Sequence, residues 1–169
     1  VKAEPFQSYE ILKLTCRFAR ATVPCEIVLQ GNQQAISLWF SNAVGPDRYQ
    51  WPTYARHRTF AEREVQVGDG DWSLPGTLTV PKGQGPFPGV VLVHCSGAND
   101  RDESLGPNKV FRDVAWGLAS HGIAVLRYEK RTREHGTKLR LGTVAITPDI
   151  ETVDDAVLAT KLLLATPEI

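Results

Sequence analysis

The sequence predicts an α/β domain on a mostly parallel sheet, preceded by the remaining part of a small α+β module. Three observations carry this expectation. Val90, Val91, Leu92 and Val93 form a continuous apolar run, as do Ile123, Ala124, Val125 and Leu126, and such runs mark strands covered on both faces. Between them, from Asn108, the period is helical: Phe111, Val114, Ala115 and Leu118 share a face, and Gly122 stands where a C-terminal cap belongs. The first forty or so residues alternate instead with period two, the signature of half-buried strands.

Composition narrows the functional classes. The chain has 169 residues, with 19 Lys and Arg against 19 Asp and Glu, so its net charge is zero. That balance supplies no field to hold a polyanion, which argues against a general nucleic-acid partner. No run approaches the roughly 20 apolar residues of a membrane-spanning helix. Three cysteines are too few and too odd in number for a disulfide scaffold. The chain begins at Val1 and contains no Met, and the helical pattern stops at Ile169 where a further strand is due. Both features lead us to expect a piece of a longer protein, truncated before the rest of its sheet.

Residues 1–41 read as the C-terminal part of an accessory module, a three-stranded meander. Leu12, Leu14, Cys16 and Phe18 alternate with polar residues; after a bend near Ala21 and Pro24, Cys25, Ile27 and Leu29 alternate again. Gly31 and Asn32 supply turn chemistry before Ile36, Leu38 and Phe40. Cys16 and Cys25 flank the bend, and either face one another or are two free buried thiols. Residues 42–60, with Gly45-Pro46, Trp51-Pro52 and scattered rings and cations, read as a linker whose rings pack on a surface rather than on bases. Residues 61–169 form the main domain. Its strands are expected at residues 64–67, 77–80, 90–93 and 123–126. A polar loop follows from Arg127 to Gly142. Thr147-Pro148 then caps a last helix whose apolar stripe is Ile150, Val153, Val157 and Leu164, with Asp154-Asp155 on a polar face.

In open α/β sheets reactive groups gather at the carboxyl ends of the strands. That edge carries two loops: His94, Cys95, Ser96, Gly97, Ala98, Asn99, Asp100, Arg101, Asp102 and Glu103 after one buried strand, and Arg127 to Thr132 after the next. With Gly106-Pro107-Asn108-Lys109 opening the intervening helix, these segments resemble the N-terminal half of an α/β-hydrolase. The likeness is to bacterial esterases and dienelactone-hydrolase-like or prolyl-peptidase-like enzymes, in which an HGSGPNDRDE-type loop, a GPNK-started helix and an RYDKRT strand end follow one another. The resemblance implies an incomplete α/β-hydrolase sheet, acyl-enzyme chemistry on a small ester or short peptide, and no metal or cofactor. It also implies that the nucleophile in Gly-x-Ser-x-Gly, the acid and the histidine, in that order, lie after Ile169.

Acyl transfer builds negative charge on a carbonyl oxygen, and rigid backbone N–H groups stabilise it. The resemblance places one such donor at the N–H of Ser96, with His94 bracing the loop and Cys95, Gly97, Asn99, Asp100, Arg101 and Asp102 forming its body. Cys95 stands where the resemblance has Gly; a Cβ there strains the loop if the position needs a positive φ, and otherwise fits with a small shift. Ser96 and Cys95 do not read as nucleophiles, because His94 and Val93 are too large for the elbow and the helix starts too late. The acidic cluster around Arg101 reads as an internal ion-pair network rather than a cation site, and Lys130 and Arg131 as a solvated rim facing the substrate. The leading function is a carboxylesterase. The alternatives are a short-peptide peptidase of the same fold and a non-catalytic binding module. A nucleotide-binding domain is disfavoured, since the loop lacks G-x-G-x-x-G.

Overall fold

The computed structural model describes residues 2–6, 9–17, 22–31, 34–40, 49–142 and 145–169. The chain divides into two compact units, Val1–Tyr49 and Gln50–Ile169.

The first unit is an antiparallel meander of four strands in sequential order, β1 (Lys2–Phe6), β2 (Tyr9–Arg17), β3 (Thr22–Gln30) and β4 (Gln34–Phe40). The sequence pattern gave three, because β1 is short and carries Pro5; an edge strand tolerates a proline that a central one does not. Pro24 lies inside β3, opposite Thr15, rather than in a bend. Val23 and Cys25 are buried, whereas Ile36 and Leu38 are exposed, so the alternation of β4 does not mark a core face here. Phe18, Ala21, Asn32, Gly45 and Pro46 lie outside the described residues.

The second unit holds a four-stranded mixed sheet in the order β5-β6-β10-β7. Strand β5 (Phe60–Val67) pairs antiparallel with β6 (Leu74–Pro81). A single turn of 3-10 helix, Gly70–Trp72, joins them. After β7 (Gly89–Val91) a small hairpin, β8 (Ser104–Leu105) and β9 (Asn108–Lys109), leads into α1 (Val110–Ala119) and then β10 (Ala124–Tyr128). Strand β10 runs parallel to β7 and antiparallel to β6. The short helices α2 (Arg131–Glu134) and α3 (Gly136–Leu141) follow. A π-helical turn, Asp149–Val153, then continues into α4 (Asp154–Leu164).

Alternation along β6 sends side chains to two packing layers. Leu74, Leu78 and Val80 join Val67, Leu126, Tyr128, Ala159 and Leu163 in one core, between the sheet and α4. Thr77 and Thr79 instead bond to the carboxylates of Glu64 and Glu62, on strand β5. Strand β10 is buried along its whole length, as its continuous apolar run predicts. Strand β7 is not: it spans three residues, Val90 and Val93 are exposed, and it pairs on one side only. No second strand flanks it among the described residues. Its apolar run therefore does not mark a covered strand in this structure.

Several helical expectations shift. The helix expected from Asn108 begins at Val110, because Asn108 and Lys109 close the β8–β9 hairpin around Gly106 at φ +58. Ala115, Trp116 and Ala119 are its buried face, while Val114 is exposed. Gly122, at φ +86, ends it, and Ile123 N–H reaches back to the Leu118 carbonyl. The polar stretch from Arg127 to Gly142 is two residues of strand and two helices rather than a loop. Thr147 caps the last helix, its Oγ1 accepting from the Ile150 N–H at 3.4 Å. The stripe of Val153, Val157 and Leu164 faces outward, and Asp155, Ala159 and Leu163 are the buried side. Residues 50–60 pack within this unit: the Trp51, His57 and Trp116 rings cluster, His57 4.6 Å from Trp116, and Arg56 N–H bonds Ser120 Oγ at 2.7 Å.

Candidate functional site

The loop from Leu92 to Glu103 leaves the carboxyl end of β7 and meets the residues just after β10, where Lys130 N–H bonds the Asn99 carbonyl at 3.3 Å. His94 anchors its start. The ring is buried, edge-on to Tyr128 at 5.3 Å and tilted against Phe111 at 5.4 Å. Its Nε2 lies 3.1 Å from the Asp100 carbonyl oxygen; a carbonyl only accepts, so Nε2 carries the proton and donates. Burial holds the imidazole below its ordinary pKa, and the nearby Lys130 charge adds to this. Burial, and then the Asp155 charge, push the Tyr128 phenol up to about 12. Neither group is placed to exchange protons near neutrality.

Asp100 folds the far side of the loop. Its carboxylate accepts from Ser104 N–H at 2.9 Å, Ser104 Oγ at 2.6 Å and Asp102 N–H at 3.1 Å. Burial raises its pKa, but the Ser104 bonds outweigh it and leave the group below the usual carboxylate range. Arg101 reaches the other way, donating to Glu129 at 2.9 Å, Glu64 at 2.6 Å and Thr77 at 2.8 Å. Asp102 takes the buried Arg127 guanidinium, which also pairs with Glu62. The acids and arginines thus form two ion-pair groups, one around Arg101 and one around Arg127, that tie the loop to β5 and β10, with Thr77 of β6 bonded to Arg101. Among the described residues no three His, Cys, Asp or Glu side chains come together as a metal-binding group.

The turn at Cys95, Ser96 and Gly97 is held by its carbonyls. Lys130 Nζ donates to the Cys95 carbonyl at 2.6 Å, and Asn99 Nδ2 to the same oxygen at 3.2 Å and to the Ser96 carbonyl at 3.3 Å. Thr132 Oγ1 donates to the Gly97 carbonyl at 3.1 Å. In a trans peptide the N–H points opposite to its C=O, so pinning the Cys95 carbonyl turns the Ser96 N–H away from Lys130. That N–H makes no hydrogen bond among the described residues, and Ser96 is exposed.

Cys95 adopts no positive φ; the positive φ angles of the loop fall on Gly97 at +107, where no Cβ is present, and on Glu103 at +47. Of the two outcomes open at Cys95, the backbone conflict is absent, and the thiol donates to Glu103 Oε1 at 3.0 Å. That bond to a carboxylate, aided by burial, raises the thiol pKa and keeps it from acting as a thiolate.

Lys130 and Arg131 do not form a solvated rim. Lys130 is only 2% exposed and pairs with Glu151 at 2.7 Å. Arg131 grips Asp155, itself 1% exposed, through Nε at 3.0 Å and through NH2. Asp155 is therefore no mere polar helix face. The signal was present in the spacing: Glu151 and Asp155 are four residues apart and share a helix face, complementary to two consecutive cations.

No family model matches the chain. Over 155 residues, 92% of its length, it is 41% identical to Esterase EstD of Thermotoga maritima. The chain spans about a third (35%) of that protein's length.

Proposed function

We propose that the complete gene product is an esterase of the α/β-hydrolase fold, and that this chain supplies one donor of its oxyanion hole, the Ser96 N–H. The observation that carries the reading is that N–H itself: free among the described residues, exposed, at the carboxyl end of a strand, and aimed by a carbonyl that two side chains hold. In α/β-hydrolases one oxyanion donor comes from the loop between the third strand and the first helix. Strand β7 is the third strand of this unit and α1 its first helix of α type, an order that supports reading the loop at Ser96 as the donor loop. The likeness to Esterase EstD supports the same reaction class. No Gly-x-Ser-x-Gly occurs in the 169 residues, so the reading places the nucleophile, the acid and the base elsewhere in the gene product.

In this mechanism a serine attacks the ester carbonyl, and the oxygen that gains charge is received by Ser96 N–H and by the N–H following the nucleophile. His94 takes no proton; it holds Asp100, and through it the loop. The test is a pair of variants of the complete gene product on p-nitrophenyl acetate. Ser96→Ala keeps the N–H and leaves kcat within a few-fold. Ser96→Pro deletes it and lowers kcat by about 10²–10³. An inactive but folded Ser96→Ala protein refutes the donor role, and absence of any esterase turnover in the wild type refutes the class.

A further inference from the structure

Lys130 lies on the far side of the peptide that carries the Ser96 N–H. The Cys95 carbonyl and the Ser96 N–H belong to one planar, resonant amide. A cation bonded to the oxygen draws electron density along that unit and makes the N–H more acidic, and hydrogen bonds arranged in such a chain strengthen one another. The contact is short, 2.6 Å from Nζ to the carbonyl oxygen, and the ammonium is 2% exposed, so water screens it little. Elsewhere in the loop charged side chains meet opposite charges, as at Arg101 and Asp102, whereas at this peptide a buried cation meets a backbone carbonyl.

We infer that Lys130 is a positioning residue for ester hydrolysis, aiming the Cys95–Ser96 peptide and polarising it so that the Ser96 N–H binds the oxyanion more tightly than a neutral backbone donor does. The inference rests on the esterase reading above. Glu151 is the modulating partner. Its carboxylate pairs with Lys130 Nζ at 2.7 Å, and that bond foremost holds it below the ordinary glutamate pKa. It offsets part of the lysine charge and keeps Nζ in place.

Removing Lys130 alone would strand Glu151, so the experiment uses the complete gene product carrying Glu151→Gln as parent, with Lys130→Met or Lys130→Gln added. Folding is followed by circular dichroism, turnover with p-nitrophenyl acetate, and oxyanion binding with phenylboronic acid, whose serine adduct mimics the tetrahedral intermediate. The Met variant is expected to lose about tenfold in kcat at unchanged KM, less than loss of the donor itself, and the same factor in boronate affinity, because the interaction strengthens in the transition state. The Gln variant can donate a hydrogen bond without charge and falls between parent and Met. Independently of turnover, the Ser96 amide resonance moves upfield when the charge is removed. Parental kcat in the folded Met variant, a rise in KM with kcat intact, full activity of the Gln variant, or an unmoved Ser96 amide overturns the inference. Should the Met variant unfold, the Gln variant and its Ser96 resonance decide. A parent whose turnover is indifferent to Ser96→Pro signals failure of the donor reading instead, since the lysine then has no oxyanion donor to act through.

Discussion

Burial sets the charge state of His94, and this makes the loop sensitive to pH. The ring is 6% exposed, and desolvation holds its pKa below that of a free histidine, against the raising fields of Glu103 and Glu129. The unfolded chain takes up a proton near pH 6.5 and the folded chain only at lower pH. The native state thus binds fewer protons in that window, and stability falls as pH drops. The contribution is fully present above about pH 6.5 and is lost as pH falls through the folded value. Replacing His94 by Gln removes the titration. The melting temperature of wild type should exceed that of His94→Gln at about pH 7.5, with the gap narrowing towards about pH 5. A gap that stays constant over that range would mean that the ring does not titrate differently in the two states.

Helix α4 shows how an element's role can be misread from its residues. Its hydrophobic pattern selects Val153, Val157 and Leu164, yet these face outward and the helix docks through Asp155, Ala159 and Leu163. A carboxylate serves as a buried contact only because Arg131, on α2, meets it; a hydrophobic stripe does not register such a pair, although the four-residue spacing of Glu151 and Asp155 does. Breaking such a pair from one side leaves an uncompensated buried charge. Asp155→Ala should therefore cost about 3–5 kcal/mol, whereas Asp155→Leu with Arg131→Met recovers most of the loss. Urea unfolding of the chain separates the cases, and an equal loss in single and double variants would show that the charge pair is not the cause.

Other parts were legible because their signals are local. The fully buried run of β10, the Gly122 stop of α1 and the Thr147 cap need only neighbouring residues to be read. The loop that carries Ser96 was singled out by its position after a strand, and Ser96 within it by the family resemblance. What holds it was not legible: the carbonyls of Cys95, Ser96 and Gly97 are fixed by Lys130, Asn99 and Thr132, and two of those three come from after β10, across a gap in sequence that no spacing rule spans. The thiol of Cys95 is a further case, since a residue that looks like a steric fault is a hydrogen-bond donor to Glu103.

For the molecule as a whole, the proposed reading makes the site a receptacle for charge that relies on a nucleophile supplied elsewhere in the gene product. The 169-residue chain expressed alone should leave p-nitrophenyl acetate hydrolysis at background and take no label from a fluorophosphonate probe. The complete gene product should be labelled on a serine outside these residues. Stoichiometric labelling of the 169-residue chain would place the nucleophile within it and overturn the division of labour proposed above.

Strand β7 meets the last turn of the chain with no room to spare. A Cβ on Gly89 would fall 2.8 Å from the Leu163 side chain and 2.8 Å from that of Ile169, and Leu163 is itself buried. An alanine at 89 would therefore require the Leu163 and Ile169 side chains to swing aside, so residues encoded far downstream set how freely this position can drift. A chimera joining β7 from one ancestor to α4 from another must bring residues at 89, 163 and 169 that can share this space.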